Sequence, residues 1–264
     1  MLNLLTSLDI NIPKFAFKPN DWTKIFLQGL GQVNVKDKDV LEIGVGTGVV
    51  AICLLKAGAN YTGLDIDERL MECARQNICS NFTSTNDEAI SYRLIVSDLF
   101  EQLNENERYD LICGCIPQVL KPETIDLGEK DSYARYFDNS KYQSSLNIYG
   151  LGLNEHALRD GRNYLKPDGK IVLVLSGRGG EDILYQMFTE NGYKASILCE
   201  KTIPQLSKTT LAPLIEAEQK GTEFFFYEDS KCQKRITVNQ AEERRLSGLD
   251  SFHKIYVFMG MLNG

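Results

Sequence analysis

The chain has 264 residues, 43% hydrophobic and 25% charged, a composition that excludes a disordered, a collagen-like or a disulfide-dense chain. Its formal net charge is −7, from 29 basic and 36 acidic residues, and basic residues adjoin only at Lys234-Arg235 and Arg244-Arg245. Affinity for phosphate backbone needs a dense basic face, so nucleic acid is not an expected partner. The longest apolar run, residues 49–55, is far short of the ~20 residues that span a bilayer, so no membrane partner is expected. The N-terminus lacks the basic start and cleavage pattern of a secretory leader, so the expected location is cytoplasmic. Seven Cys in no CxxC spacing and only two His, His156 and His253, predict neither disulfides nor a metal site.

Along the chain, short β-rich runs alternate with helical ones. Strands are predicted at 39–43, 61–65, 92–96, 109–114, 170–176, 195–199 and 254–258, and helices at 49–57, 69–81, 155–164 and 182–190. Continuous apolar strands separated by helices predict an α/β fold: a mostly parallel seven-stranded sheet with helices on both faces. Lys166-Pro167-Asp168-Gly169 reads as a tight turn from helix into strand, and Asn191-Gly192 as a helix C-cap. The expected organisation is one domain over 1–264. It comprises an N-terminal helical cap (1–38), a nucleotide-binding core (39–200), an insertion near the substrate site (201–250) and the final core strand (251–264). The insertion carries a strand-like aromatic run at 223–227. A second unusual span, 120–152, holds Tyr133, Tyr136, Phe137, Tyr142 and Tyr149. Open α/β sheets bind ligands at the carboxyl edge that these spans leave, although most such aromatics serve only to pack insertions onto a core.

The strongest local signal is Glu42-Ile43-Gly44-Val45-Gly46-Thr47-Gly48, a strand that runs into alternate glycines before a helix. The dinucleotide fingerprint fails because Val49 stands at its sixth position, which makes a nicotinamide-linked oxidoreductase the weakest alternative. The order resembles motif I of the class I S-adenosylmethionine-dependent methyltransferases, whose fold is Rossmann-like. That resemblance implies that the backbone of Gly44, Gly46 and Gly48 cradles the methionyl part of the cofactor, with Glu42 orienting the loop and the cofactor amine. Asp65, followed by Ile66, ends the second strand where a carboxylate can accept both ribose hydroxyls. By the same resemblance Asp98 accepts from the adenine amine and Leu99 lies along the ring. Asp67 reads as a helix N-cap. Trp22, the only Trp, is either a lid over the cofactor or substrate or the anchor of the first helix.

After the fourth strand comes Gly114-Cys115-Ile116-Pro117-Gln118, where many amino-group methyltransferases carry Asn-Pro-Pro-Tyr. Cys115 is a poor partner for an amide, so the acceptor need not be nitrogen. This motif resembles the methyltransferase region of methionine S-methyltransferase. So do Pro19-Asn20-Asp21-Trp22, Tyr149-Gly150-Leu151-Gly152-Leu153, Gly177-Arg178-Gly179-Gly180, Glu223-Phe224-Phe225 and Phe252-His253, in that order. The plant members also have an aminotransferase-like region, so this chain is expected to be a minimal version. The resemblance implies methyl transfer from S-adenosylmethionine to the thioether of L-methionine, which gives S-methylmethionine and S-adenosylhomocysteine. A thioether has no proton to lose, so no general base is expected, and catalysis rests on in-line positioning.

In that reading Cys115 lines the cofactor methyl and forms the reaction end with Pro117 and Gln118. Tyr142 and Tyr149 wall the sulfonium with their faces. Arg178, between glycines, binds the α-carboxylate in bidentate fashion. For the α-amine, Glu155, Glu216 and carbonyls after Cys115 stay open, and His253 reads as a packed residue. The expected partner is a small amino acid. Two alternatives remain: an N-methyltransferase acting on a small amino acid, an amine or a protein glutamine, and a non-catalytic cofactor-binding interaction module.

Overall fold

A computed structural model describes residues 1–82, 90–118, 141–207 and 209–263. Tyr133, Tyr136 and Phe137 lie outside them.

A short 3-10 helix, Leu2–Ser7, opens the chain. Helix α1 (Asp21–Leu30) follows, started by a capping box in which the Asn20 side chain accepts the Trp22 N–H at 2.9 Å. Then come β1 (Asp39–Ile43), α2 (Val49–Lys56), β2 (Asn60–Asp65), α3 (Glu68–Asn81), β3 (Tyr92–Val96) and β4 (Tyr109–Gly114). Helix α4 (Gly152–Gly161) leads to β5 (Leu165–Ser176), α5 (Glu181–Glu190) and β6 (Tyr193–Pro204). After these, α6 (Ala212–Gln219), β7 (Phe226–Tyr227), β8 (Arg235–Ile236) and α7 (Val238–Leu246) precede the last strand, β9 (Phe252–Leu262).

The core strands lie in the order β3-β2-β1-β4-β5-β9, with β6 on the free side of β9. Pairings among β1 to β5 are parallel, and β9 runs antiparallel to both β5 and β6. This is the expected Rossmann-like α/β arrangement. The described sheet has nine strands rather than seven, because the insertion adds β7 and β8, of two residues each.

Apolar side chains cover both faces. On one, Phe26, Leu30, Ile52, Leu54 and Ile78 from α1, α2 and α3 pack with Val174 and Val257. On the other, Leu158, Leu184, Met187 and Phe188 from α4 and α5 pack on Ile171, Leu173 and Phe258. Helix α2 is buried from Val49 through Leu55, which is why its sequence is apolar all round.

Three local expectations change. The 166–169 turn is a bulge inside β5. Tyr109 pairs with Leu165 but Leu111 with Lys170, and Asp168 takes φ 63° at the tip. Of the 223–227 run only Phe226–Tyr227 pairs as strand. Strand β6 runs on to Pro204, so the insertion lies beyond it, and Leu211, Leu214, Phe224, Phe226, Val238 and Ala241 bury one another there. The Asn191-Gly192 cap appears as expected: Gly192, at φ 82°, donates its N–H to the Thr189 carbonyl at 3.0 Å.

Candidate functional site

The carboxyl ends of β1, β2, β3 and β4 open into a cavity of about 340 Å³. Its walls include Glu42, Gly44, Gly46, Asp65, Ile66, Asp98, Leu99, Cys115, Pro117, Gln118, Tyr142, Arg178 and Trp22. The N-terminal segment closes one side through Phe17, Lys18, Pro19 and Asn20. That segment is tied down by Asn77 of α3. Its amide oxygen accepts the Asn11 N–H at 2.8 Å, and its amide nitrogen donates to the Asn11 carbonyl at 2.9 Å and the Thr47 carbonyl at 2.8 Å. One buried side chain therefore fixes both the strap and the glycine loop.

Within that loop Gly46 has φ 56°, and a Cβ there would meet nothing within 4 Å. The backbone at this point faces open cavity, as a cofactor cradle requires. Gly48 differs. It also has a positive φ, 81°, but a Cβ would strike Ala74 at 3.1 Å, and it does not line the cavity. Its role is the close approach of α2 and α3, which corrects its expected place among the cofactor contacts. Beneath the loop, Glu42 is 1% exposed and lies 2.5 Å from the Tyr61 hydroxyl. Burial outweighs that hydrogen bond and pushes its carboxyl up to about 8, with Asp65 nearby adding to the rise.

Asp65 braces the same loop. One carboxylate oxygen accepts the Gly46 N–H at 2.8 Å and the other the Asp67 N–H at 3.0 Å. Burial raises its pKa despite these bonds. The Ile66 N–H also reaches the carboxylate, which with about four lone-pair sites still has room for a hydroxyl donor. Asp67 caps α3 as expected, accepting the Arg69 N–H at 3.0 Å. At the end of β3, Ser97 Oγ donates to the Leu99 carbonyl at 2.8 Å and accepts the Gln102 N–H at 3.1 Å. This holds Leu99 in the left-handed region at φ 45° with its side chain on the cavity.

Asp98 is bound by the Lys141 ammonium and the Tyr142 hydroxyl. The Tyr142 ring stands edge-on to His156 at 5.1 Å. Tyr142 therefore sits at the Asp98 end of the cavity, away from the reaction end where it was expected. Tyr149 does not line the cavity. Its ring packs against Phe224 of the insertion at 5.9 Å and over Gly179, so it is not a sulfonium wall. Glu155 and Glu216 are likewise absent from the cavity walls.

At the reaction end Cys115 lines the cavity, its thiol pushed up to about 12 chiefly by burial. Asn154 Nδ2 donates to the Pro117 carbonyl at 3.2 Å. Gln118 is a clasp between elements. Its oxygen accepts the Ser176 N–H at 2.7 Å, and its nitrogen donates to the carbonyls of Ser176 at 3.2 Å and Tyr149 at 3.3 Å. With its amide so engaged, Gln118 positions the loop, a correction to its expected place among the reacting groups.

Arg178 follows β5 in the 3-10 turn Gly177–Gly179. Its Nε donates to Ser176 Oγ at 2.9 Å and its Nη2 to the Gln118 carbonyl at 3.1 Å. Among the described residues no carboxylate pairs with it, and burial alone lowers its pKa to about 10. The remaining N–H groups of the guanidinium have no partner among the described residues, while the side chain lines the cavity.

Sequence reasoning missed the wall formed by Phe17, Lys18, Gln205, Leu206, Thr209 and His253. His253 lies 6.4 Å from Trp22 and 6.1 Å from Phe226 between ring centroids. Trp22 both lines the cavity and packs on the core. Among the described residues no group of three potential ligands could hold a metal, and no helix is long and apolar enough to cross a membrane.

Residues 20–121 match the family model for ribosomal protein L11 methyltransferase. The chain is 27% identical over 92% of its length to methionine S-methyltransferase of Zea mays, but covers only 24% of that protein. The chain thus spans about a quarter of the plant relatives it matches. A Methanocaldococcus jannaschii protein described as "Putative protein N5-glutamine methyltransferase" is 29% identical over 77% of this chain and 94% of its own. Among solved structures, the Mtq2-Trm112 complex of E. cuniculi superposes with a TM-score of 0.53, covering 94% of this chain and 99% of that one at 14% identity.

Proposed function

We infer that this chain, an S-adenosylmethionine-dependent methyltransferase of class I fold, methylates the thioether sulfur of L-methionine to give S-methylmethionine. The observation that carries this reading is Arg178: a half-buried cation with no countercharge among the described residues, on the wall of the cavity that Cys115 also lines. A free amino acid brings the carboxylate that such a guanidinium lacks, and the fork geometry suits bidentate contact.

S-adenosylmethionine, when bound, supplies an electrophilic methyl group on a sulfonium. Gly44 and Gly46 cradle its methionyl part, Glu42 supports the loop, Asp65 accepts from the ribose, and Asp98 with Leu99 borders the adenine. Trp22 and Ile66 complete its walls. Cys115 and Pro117 shape the transfer end. Arg178 fixes the acceptor carboxylate, and the N-terminal strap with Trp22 excludes water. A thioether needs no proton removed, and the groups at hand suit that. The Cys115 thiol stays protonated, its pKa near 12, and His253 is a feeble base at about 3. Positioning then carries the rate, and in good intramolecular models it lowers a barrier by about 7–11 kcal/mol.

The M. jannaschii relative favours a second reading, in which a protein glutamine nitrogen is the acceptor. Against it, Cys115 stands where amide methylation wants an Asn. Purified protein incubated with S-adenosylmethionine and L-methionine should yield S-adenosylhomocysteine and S-methylmethionine in step by mass spectrometry. S-adenosylhomocysteine formed only with glutamine-bearing proteins would support the second reading instead.

A further inference from the structure

We propose that Gln205, with His253 beside it, forms the subsite for the acceptor's α-ammonium group, so that the enzyme takes a free zwitterionic α-amino acid. This rests on the proposed methylation of methionine and extends it to a part of the acceptor that reading left without a ligand.

Gln205 lies just past the end of β6, yet its N–H still donates to the Ser251 carbonyl at 2.7 Å. The ladder therefore continues, and the Gln205 side chain shares a face with Ile203 two residues earlier. Ile203 pairs with His253 across β9. Gln205 and His253 are thus diagonal neighbours on one face, with backbones ~7–8 Å apart. Both line the cavity that Arg178 lines. Ser176 Oγ connects the group, 2.9 Å from Arg178 Nε and 3.4 Å from His253 Nδ1.

The amide oxygen of Gln205 has no hydrogen-bond partner, although the residue is only 8% exposed. Buried polar atoms are nearly always paired; this oxygen is turned away from the cavity, and a half-turn of the amide, which exchanges its oxygen and nitrogen, presents it to a donor from outside the protein. His253 offers a second lone pair. Its Nδ1 is 3.1 Å from the Lys254 carbonyl, which takes the ring proton and leaves Nε2 as the acceptor nitrogen. Burial, with the Arg178 charge beside it, holds the imidazole neutral.

Neutral acceptors suit this position. A carboxylate here would pair with Arg178 and close the site to the substrate's own carboxylate. An amide oxygen and an imidazole nitrogen accept from an ammonium without that competition. The arrangement therefore has one cation for the α-carboxylate and two neutral acceptors for the α-ammonium. A residue inside a polypeptide offers neither charge.

The test compares wild type with Gln205→Met, which keeps the length of the side chain and removes the acceptor. Each is assayed with L-methionine and with 4-(methylthio)butanoate, which retains thioether and carboxylate but lacks the amine. Gln205→Met should raise the KM for L-methionine about tenfold or more. The KM for 4-(methylthio)butanoate and the calorimetric affinity for S-adenosylhomocysteine should stay as in wild type. An equal rise for both thioethers, or no rise for either, overturns the proposal. If wild type turns over no methionine, the parent reading fails by itself, and calorimetry with S-adenosylhomocysteine present then decides the subsite. A free amino acid that binds more tightly than its N-acetyl form, with that preference lost in Gln205→Met, supports it. No such preference in any of the common amino acids overturns it.

Discussion

Replacing Arg178 with Met should make the ligand-free protein slightly more stable and the enzyme much worse. Burial holds the guanidinium near 10, well below its ordinary value. At ~1.36 kcal/mol per pH unit, its charge costs the folded state about 3 kcal/mol at neutral pH. The sign follows from linkage. The unfolded chain binds the proton more tightly, so the penalty is complete below pH 10 and disappears only above the unfolded value. Removing the side chain also removes its bonds to Ser176 Oγ and the Gln118 carbonyl, each about 1 kcal/mol. The net gain of about 1 kcal/mol corresponds to a rise in Tm of roughly 2–4 °C. With methionine the balance reverses. Two hydrogen bonds to a carboxylate at about 1.5 kcal/mol each sum to about 3 kcal/mol, near a 150-fold loss in kcat/KM. Thermal unfolding and a steady-state assay of S-adenosylhomocysteine release measure the two effects separately. 3-(Methylthio)propylamine, which has no carboxylate, should react with both proteins alike. A lower Tm together with an equal loss on that amine would refute the carboxylate clamp and make Arg178 a structural residue.

Glu42 provides a pH test. Its folded pKa of about 8 lies above the ordinary 4.5, so the folded state binds the proton more tightly and stability falls as pH rises through that window, at most ~1.4 kcal/mol per unit. The Tm advantage of Glu42→Gln should widen from pH 5 to 8, and a constant difference would contradict the assigned burial cost. Gly46→Ala and Gly48→Ala should separate binding from folding. The first projects a methyl into open cavity and should weaken S-adenosylhomocysteine affinity, its cost in Tm limited to the roughly 1–2 kcal/mol of strain at a positive φ, which Gly48→Ala shares. The second meets Ala74 and should lower Tm by several degrees, roughly the effect of 1–3 kcal/mol of overpacking. As the only Trp, Trp22 should report cofactor binding through its fluorescence. An emission unchanged at saturating S-adenosylhomocysteine would place it off the cavity wall.

The half of the cavity proposed to hold the cofactor was legible in the sequence because its chemistry is local. Glu42, Gly44, Gly46, Asp65 and Asp98 each stand at the end of an apolar run, and strand ends of a parallel sheet share one edge. The acceptor half was legible only where a glycine-rich loop advertised it, at Arg178. Gln205 carries no such mark. Its importance comes from the pairing of Ile203 with His253, fifty residues apart, which no local pattern encodes. Tyr149 and Tyr142 were misplaced for a related reason. An aromatic in a connecting span has no periodicity to give its direction, and here one ring turned to the insertion and the other to Asp98. Helices α6 and α7 went unread because each is short and buries only two side chains, Leu214 and Ala217 in α6, Val238 and Ala241 in α7.

Strand β9 joins two long ladders, seven residue pairs with β5 and eleven with β6, besides a single pair with β7, while taking no part in the parallel pairing of β1, β2 and β3. The groups that would grip an acceptor come from this antiparallel corner, and those that would grip the cofactor from the other. Inheritance can therefore act on the two halves at different rates. A lineage could exchange residues 205–251 for a segment of another length, anchored by the same two strands, and acquire a different acceptor without relearning how to hold its methyl donor. For an engineer the boundaries of such an exchange are already drawn, at Pro204 and Phe252, where the ladder closes on either side.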